Sequence, residues 1–535
     1  MKKKAVLFLI LILAAALRLY RLGEVPASLY WDEASLGYNA YAISQTLHDE
    51  HGEFLPLTRF MAFGDYKAPG YIYAAALSVK ALGLNEFSVR LPSAVAGIFL
   101  VLITFMLAGE LGLSLPASLL AALFVAISPW SLQFSRGAFE ANLATTLSAA
   151  GVYFFLRGLR RKQSLSFLFS GLFFALSMYT FNSHRIFVPL LIVALFLIYF
   201  KNTWLIKTKI IPFATVLAIL ILPLLLYGRT REATLRFYEV TWLNDLSPIE
   251  LANQRISTDG NAWWAKIVHN RRITYGLEFL KHYTDHFRAD FLFYSGDVNL
   301  RLSTQAVGEM YWLDLPFLLI GIFYLLKKRN KTSALLLVWV LLAPIPAATA
   351  RETPHALRAE NILPVPQILT ALGLVWVVQF LSKQTGRKRL AIFITVIILG
   401  YVFLAGAYLD YYYRIYPIKS ASSWQYGYKP MVEYVSRIEN KYPCVQVTQT
   451  YGRPYIYFLL YNRFPPEKYW QERKIDRDWY GFWYVHSFGK YQFDTAPNPA
   501  CLQVREPEAV PAKAKIIQEI NGLNGKPVFD IYEAN

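Results

Sequence analysis

Two adjacent carboxylates stand in the stretch YWDEASLGYNAYAI, residues 30–43, and they are the first candidates for chemistry. Asp32 and Glu33 follow Tyr30 and Trp31, just beyond the first apolar segment. If the stretch is a helix, Asp32 is its N-cap and Glu33 complements its dipole. Adjacent helix positions diverge by about 100°, so the two acids cannot both point at one atom. One acid can face a reaction while the other orients a loop, and capping and catalysis stay open together.

A lysine and an arginine–glutamate pair follow in two further segments. Lys67 lies in FGDYKAPGYIY, beside Tyr66. It is either a lysine that snorkels at an interface or an ammonium placed to meet a lipid-linked phosphate. Arg136 and Glu140 lie in SRGAFEAN at a spacing of i, i+4, which suits a helical ion pair as readily as a site. We treat Glu140 as a candidate catalytic acid and Arg136 as a candidate phosphate ligand.

Two later loops carry histidine beside arginine. The segment NSHR contains His184 and Arg185, and RETPHALRAEN contains His355 and Arg358. We treat the arginines as candidate phosphate-binding residues and the histidines, with Tyr66, as candidate substrate-binding residues.

The composition indicates that these segments are loops of a polytopic membrane protein. Of the 535 residues, 55% are hydrophobic and 16% are aromatic, and the mean hydropathy is +0.31. The net charge of +18 comes from basic residues clustered in short loops between apolar runs, a pattern of membrane orientation rather than of nucleic-acid binding. No phosphate-binding glycine loop joins a strand to a helix, which argues against nucleotide-driven chemistry.

Apolar runs predict eleven membrane helices. They lie near 5–22, 91–109, 115–130, 140–157, 165–181, 186–200, 210–227, 310–327, 332–350, 361–381 and 389–409.

The distribution of lysine and arginine gives the orientation. If the run 69–83 is a juxtamembrane helix and not a span, the lysine-rich loops RGLRRKQ, KNTWLIKTK, KKRNK and SKQTGRKR are cytoplasmic. The candidate residues then face outward. Arginines in outward-facing loops are unexpected, because lysine and arginine usually concentrate in cytoplasmic loops. Anion binding is the simplest explanation for their presence there.

This topology divides the chain into a transmembrane domain, residues 1–409, and a small extracytoplasmic α/β domain, residues 410–535. Within the first, residues 23–90 form a first outer loop with juxtamembrane helices and residues 228–309 form a large outer loop. Helical spacing in KPMVEYVSRIENKY and β-rich segments near the end predict the α/β character of the tail. Cys444 and Cys501 both lie in this tail, as a disulfide or as two free thiols.

No nucleotides are supplied at the outer surface of the membrane. A polyprenyl-phosphate sugar is a suitable donor there, because it needs no nucleotide and its tail stays in lipid. Transfer of the sugar needs a carboxylate base for an acceptor hydroxyl and cations for the departing phosphate. Asp32 as base, with Lys67 and the outward arginines around the phosphate, meets both needs. Attack from the face opposite the phosphate inverts the anomeric centre.

The order of motifs resembles the type C glycosyltransferases of family 39, which include protein O-mannosyltransferases and lipid A aminoarabinose transferases. The order is WDE, YNAYAI, GDYKAPGYIY, RLPS and SPWSLQFSRGAFEAN. The resemblance covers roughly residues 5–200 and is looser to about 410. It implies a type C glycosyltransferase fold and inverting transfer of a monosaccharide from a polyprenyl-phosphate donor to a protein, lipid or glycan hydroxyl.

The resemblance also implies roles for particular residues. Asp32 takes the place of the essential first-loop aspartate, as base or acceptor-binding group, and Glu140 that of the acidic residue in the later outer loop. The family's Lys-Pro-Pro element corresponds to Lys67 and Pro69, with Ala68 in place of the first proline. Where the aminoarabinose branch has a metal-binding glutamate, this chain has Tyr66, so the sequence requires no cofactor and leaves the use of a divalent metal unknown.

Two other functions remain as alternatives. A flippase for lipid-linked glycans also needs many spans, but transporters place ionisable groups near the bilayer midplane. A lipid-linked glycan polymerase or ligase is expected to concentrate arginine and histidine in the large loop. The sequence does not identify the sugar, the acceptor or the oligomeric state.

Overall fold

The computed structural model describes residues 2–63, 65–230, 233, 241–477, 483–493 and 495–534. Each of the eleven predicted spans overlaps a helix. The helices of these apolar regions are Lys2–Leu19, Glu86–Glu110, Leu115–Ile127, Pro129–Arg136, Glu140–Arg161, Ser164–Thr180, His184–Ile198, Phe200–Leu205, Lys207–Tyr227, Asp314–Lys328, Lys331–Leu342, Val365–Gln384 and Arg387–Arg414.

Five helical segments in the described part of the chain are long and apolar enough to cross a membrane, or six if one bent pair counts as a span. The five are Glu86–Glu110, Lys207–Tyr227, Lys331–Thr349, Val365–Gln384 and Arg387–Arg414, and the pair Leu115–Ile127 and Pro129–Arg136 is bent by 52°.

The other predicted spans lie on helices that are shorter or more polar. Asp314–Lys328 has 15 residues, and Glu140–Arg161 includes several charged and hydroxyl side chains. The multi-pass helical architecture is thus confirmed, whereas the number eleven stays a prediction.

The first outer loop contains two helices and a hairpin. The helices are Trp31–Thr46 and Pro69–Leu82, and the strands Phe60–Ala62 and Asp65–Lys67 pair antiparallel. Pro69 is the first residue of its helix, where a missing N–H costs nothing. The helix ends before Gly83, whose φ of +77° suits glycine. At 14 residues it is too short to span a bilayer, in agreement with the predicted juxtamembrane helix.

The large loop and the segment near residue 350 are helical in short pieces. Their elements are Trp242–Asn244, Ser247–Thr258, Trp263–Val268, Arg271–Asp285, Asp290–Tyr294, Ala347–Thr349, Ala356–Ala359 and Glu360–Ile362.

The C-terminal part contains a seven-stranded mixed sheet among the described residues. In spatial order its strands are Lys474–Arg477, Trp483–Phe488, Tyr491–Phe493, Val445–Val447, Leu502–Arg505, Pro527–Glu533 and Lys515–Asn521. Its helices are Tyr416–Lys419, Tyr428–Ile438, Glu439–Lys441, Tyr455–Tyr461, Pro466–Glu472 and Pro507–Ala509.

A disulfide joins Cys444 to Cys501, which decides between the two predicted states of these thiols. Each cysteine directly precedes a strand, and these two strands, Val445–Val447 and Leu502–Arg505, are parallel neighbours. The bridge therefore ties together the starts of two central strands.

The chain forms two compact units. The first unit comprises Met1–Ala14, Gly97–Gln133 and Ala141–Gly406, and the second comprises Ala15–Ala96, Phe134–Glu140 and Ala407–Asn535. The tail thus shares a unit with the first outer loop, and the prediction that residues 410–535 form a separate domain stays a prediction.

A buried carboxyl joins the first loop to the tail inside the second unit. Glu50 is fully buried, accepts a 2.7 Å hydrogen bond from the Tyr455 hydroxyl and a 3.2 Å bond from Asn39 Nδ2. The Arg473 guanidinium donates to the carbonyls of Glu50 and His51. Burial, with a smaller contribution from the nearby charge of Asp49, raises the pKa of Glu50 to about 7 against the lowering effect of the hydrogen bond from Tyr455.

This carboxyl predicts a pH dependence of stability. Because its pKa in the folded protein lies above the ordinary value of 4.5, its contribution is complete below about pH 4.5 and is lost as the pH rises through about 7. The shift corresponds to about 3 kcal/mol as an order of magnitude. We expect the unfolding midpoint in detergent to fall between pH 5 and 8, and Glu50→Gln to flatten much of that slope.

Asp49 leaves a residual slope of the same sign, because burial raises its pKa to about 6. The exposed Glu467, replaced by Gln, is the matched control and should keep the wild-type slope. A Glu50→Gln protein with an unchanged slope would contradict the prediction.

Candidate active site

The centre of the candidate site is an ion pair between the first loop's helix and its hairpin. Asp32 is the second residue of the helix Trp31–Thr46, and Lys67 is the last residue of the strand Asp65–Lys67. Lys67 Nζ lies 2.5 Å from Asp32 Oδ1, with 12% of the lysine and 23% of the aspartate side chain exposed. The helix N-terminus favours a carboxylate at this position. The site thus presents an anionic and a cationic group that solvent or a ligand can reach.

Glu33 points elsewhere and is completely buried. Its Oε1 and Oε2 accept 3.0 Å hydrogen bonds from Arg90 Nε and Nη2, and Oε1 also accepts a 2.6 Å bond from the backbone N–H of Ala138. The divergence of adjacent helix positions predicted this separation of Asp32 from Glu33. These contacts make Glu33 a residue that fixes the helix, and they leave little of its carboxylate for a reactant.

Arg90 extends this network to the loop that precedes the helix. Its Nη1 donates to the carbonyls of Leu22 and Pro26, and its Nη2 to that of Ser28. The guanidinium lies 5.6 Å from the centre of the Trp424 ring. Arg90 is the arginine of the RLPS motif, and the sequence alone predicted no role for it. A charged residue at the start of an apolar run is the signal that could have found it.

A residue that is distant in the sequence also stabilises the N-terminus of this helix. The backbone N–H of Trp31, unpaired within its own helix, donates a 2.8 Å bond to Gln425 Oε1. The Tyr457 hydroxyl donates to the same oxygen at 2.7 Å, and Gln425 Nε2 donates to the carbonyl of Tyr451. No local pattern in the sequence points to Gln425, which lies 394 residues from Trp31.

Arg136 has contacts that disfavour the predicted phosphate-binding role. It is 1% exposed, and its guanidinium lies 5.3 and 5.1 Å from the Tyr412 and Tyr413 ring centres. Its donors reach backbone carbonyls at the end of the first helix and in the turn beyond it. These are the carbonyls of Leu17, Arg18, Arg21 and Val25. Cations suit the carbonyl end of a helix, and this use of Arg136 corrects the inference from its outward loop.

Glu140 and Tyr66 are buried in the same unit as Asp32. Glu140 is the first residue of the helix Glu140–Arg161 and is 8% exposed. Burial raises the pKa of Tyr71 well above its ordinary value, and the charges of Glu33 and Glu140 raise it further. Glu33 and Glu140 therefore share Tyr71 as a neighbour. Tyr66 is 8% exposed.

The remaining predicted residues lie in the first unit. Arg185 Nε donates to the carbonyl of Met178, and the buried His184 contacts aromatic rings. The backbone N–H of His355 donates to His286 Nε2 at 3.1 Å. Burial lowers the pKa of His355, and the charge of Arg358 lowers it further. Their convergence with Asp32 on one ligand stays a prediction.

Among the described residues, no group of three or more histidine, cysteine, aspartate or glutamate side chains is arranged to hold a metal ion. The tyrosine at position 66 is a poor metal ligand compared with a carboxylate. We therefore derive no chemical step through a metal.

Similarity to solved structures identifies the fold. ArnT from Cupriavidus metallidurans in the apo state matches with a TM-score of 0.56 and 10% identity over 99% of this chain and 98% of that one. The same protein bound to undecaprenyl phosphate matches with a TM-score of 0.56 and 10% identity, over 98% and 97%. These matches and the helical architecture make the chain a polytopic membrane protein of the type C glycosyltransferase fold, as predicted.

The Archaeoglobus fulgidus oligosaccharyltransferase tethered with an acceptor peptide matches with a TM-score of 0.54 and 16% identity. The match covers 86% of this chain, which spans only 63% of the archaeal protein. No curated protein sequence matches the chain.

Residues 8–238 match the model of the dolichyl-phosphate-mannose-protein mannosyltransferase family. The matched segment is less than half of the chain, and its similarity to this family agrees with the resemblance predicted from the order of motifs.

Proposed function

We propose that the protein transfers a monosaccharide from a polyprenyl-phosphate donor to an acceptor hydroxyl at the outer face of the membrane, with inversion. The observation that carries the proposal is the accessible ion pair of Asp32 and Lys67 at a helix N-terminus. The family match over residues 8–238 supports the donor class, as does the similarity to a protein solved with undecaprenyl phosphate. The acceptor is a protein, lipid or glycan.

Asp32 and Lys67 have complementary roles in this reaction. The acceptor hydroxyl gives its proton to the Asp32 carboxylate while its oxygen attacks the anomeric carbon. The bond between that carbon and the phosphate oxygen breaks, and the phosphate leaves with the electron pair. The leaving phosphate gains one negative charge, which the Lys67 ammonium stabilises. The products are the glycosylated acceptor, polyprenyl phosphate and a proton on Asp32.

Other residues have supporting roles in the proposal. Glu33, bound to Arg90, acts as a positioning residue that holds the helix start, and Glu140 contributes a second acid near it. Arg185 and Arg358 remain proposed phosphate ligands, and Tyr66, His184 and His355 remain proposed substrate contacts.

The test uses the full-length protein in proteoliposomes with radiolabelled polyprenyl-phosphate sugars and one acceptor of each class: a serine- and threonine-containing peptide, a lipid with a free hydroxyl and a neutral disaccharide. We expect one donor to be consumed in a protein-dependent reaction that releases polyprenyl phosphate. The anomeric configuration of the product reports inversion. If no donor is consumed, or if the lipid-linked sugar crosses the bilayer unchanged, the proposal is wrong and transport is the better interpretation.

Replacing Lys67 by methionine is expected to lower kcat/KM for the donor by roughly 10- to 100-fold, the cost of losing a hydrogen bond to a charged group. Arginine at this position keeps the charge and should restore part of the loss. Steady-state kinetics with varied donor provide the measurement. The control is Lys80→Met, because Lys80 is exposed on the adjacent helix Pro69–Leu82. Equal loss in both variants would contradict a specific role for Lys67.

A further inference from the structure

The first unit contains a polar cavity that is formed by the large outer loop and the segment near residue 350. The cavity measures about 300 Å³. The helices Ser247–Thr258 and Arg271–Asp285 border it. Its lining includes Trp242, Asp245, Thr274, Glu278, His282 and Arg351. None of the predicted site residues lines it. We call it the loop cavity.

Hydrogen bonds fix the inner wall of the loop cavity. Trp242 Nε1 donates a 2.8 Å bond to the carbonyl of Ala348, and its ring stacks on Tyr275 at 5.8 Å. His282 Nδ1 lies 3.1 Å from the carbonyl of Ala350. These contacts join the large loop to the segment near residue 350, so the wall is already formed without a ligand.

Two pairs of polar groups stand at the mouth. Arg351 Nη2 lies 2.9 Å from Asp245 Oδ1, with 54% and 37% of the side chains exposed. His282 Nε2 lies 3.2 Å from Glu278 Oε1, and 36% of the glutamate side chain is exposed. An exposed ion pair such as Arg351–Asp245 adds little to stability, and the side chains of both pairs line the cavity. Their oxygens and N–H groups remain within reach of a ligand that enters the cavity.

The charge of the lining indicates the class of ligand. Two carboxylates and one arginine do not attract a phosphate, which needs an excess of cations. A polyol matches both the carboxylate acceptors and the guanidinium donors. The apolar surface of Trp242, Pro248 and Leu251 suits the C–H groups of a sugar ring. The volume is at the small end of ligand pockets, appropriate for a small saccharide.

We propose that the loop cavity binds a neutral saccharide. The donor is excluded as the occupant because its phosphate would meet the carboxylates of Asp245 and Glu278.

The test measures binding of neutral disaccharides to the full-length protein in lipid nanodiscs. Mannobiose, cellobiose and chitobiose serve as probes, and titration by saturation-transfer NMR gives their affinities. Hydrogen exchange locates the binding. We expect at least one disaccharide to bind and to protect the helices Ser247–Thr258 and Arg271–Asp285. Glu278→Gln and Asp245→Asn should each weaken that binding by roughly 10-fold or more.

The matched control is Glu250→Gln, because Glu250 is exposed on the helix Ser247–Thr258 and does not line the cavity. It should leave the affinity unchanged. The inference is overturned if none of the three probes binds, if Glu278→Gln and Asp245→Asn bind as wild type does, or if a serine- and threonine-containing peptide protects these helices instead.

Donor consumption in the same preparation separates this inference from the proposed function. If wild-type protein consumes a polyprenyl-phosphate sugar but binds no disaccharide, only the inference about the loop cavity is wrong. Wild-type protein that consumes no donor but binds a disaccharide overturns the proposed function alone.

Discussion

Replacing Asp32 by asparagine is expected to lower the rate of sugar transfer by roughly 10²- to 10⁴-fold, the usual contribution of a general base. The amide has nearly the same shape as the carboxylate but cannot take the proton of the acceptor hydroxyl. Lys67, which pairs with Asp32 at 2.5 Å, stays available for the donor phosphate. We therefore expect kcat to fall much more than the donor KM changes, as measured with a labelled donor in proteoliposomes.

A control for Asp32→Asn is Asp410→Asn. Asp410 is exposed in the same unit and pairs with Arg414 one helical turn away, and its replacement should leave kcat within about twofold, because such exposed pairs are worth little. Equal turnover of wild type and Asp32→Asn would rule out the base assignment. A rise in KM with unchanged kcat would instead assign Asp32 to binding.

The second large effect is expected on stability. Glu33→Ala should lower the free energy of unfolding by about 3–5 kcal/mol, the cost of removing one partner of a buried ion pair. Both Glu33 and Arg90 have no exposed side-chain surface, so the variant leaves the arginine charge buried without its carboxylate. The N–H of Ala138 also loses its acceptor. The midpoint of unfolding in detergent measures the loss.

The comparison for Glu33→Ala is Glu24→Ala. Glu24 pairs with Arg21 at 2.6 Å, but 64% and 42% of their side chains are exposed, so its loss should cost less than about 1 kcal/mol. Similar midpoints for the two variants would show that the Glu33–Arg90 pair does not hold the fold. If the Glu33→Ala protein is stable but has no transfer activity, Glu33 has a role in the chemical step and not in positioning the helix.

The sequence predicted where the helices lie better than it predicted how many of them cross the membrane. Long apolar runs specify helices because each must satisfy its own backbone hydrogen bonds in lipid. Whether a helix such as Asp314–Lys328, with 15 residues, crosses the membrane depends on its tilt and neighbours, which composition does not encode. The antiparallel strands that carry Lys67 were also missed, because three-residue strands leave no periodic pattern.

Within the candidate site, motif order placed Asp32 and Lys67 in one loop, and their contact agrees with the chemistry inferred for them. The supports of the site were not predictable in the same way. Gln425 reaches Trp31 across 394 residues, and only the folded tail brings them together. Arg136 was interpreted as an anion ligand because it lies in an outward-facing loop. In the structure its guanidinium instead donates to the carbonyls of Leu17 and Val25.

The contact between Gln425 and Trp31 also sets an order of events at the ribosome. At about 5–20 residues per second, the 394 residues that separate them take roughly 20–80 s to translate. During that interval the newly made helix start has no Gln425 to accept its first N–H. The hydrogen bond at the start of the candidate site's helix therefore forms only after Gln425 has been synthesised.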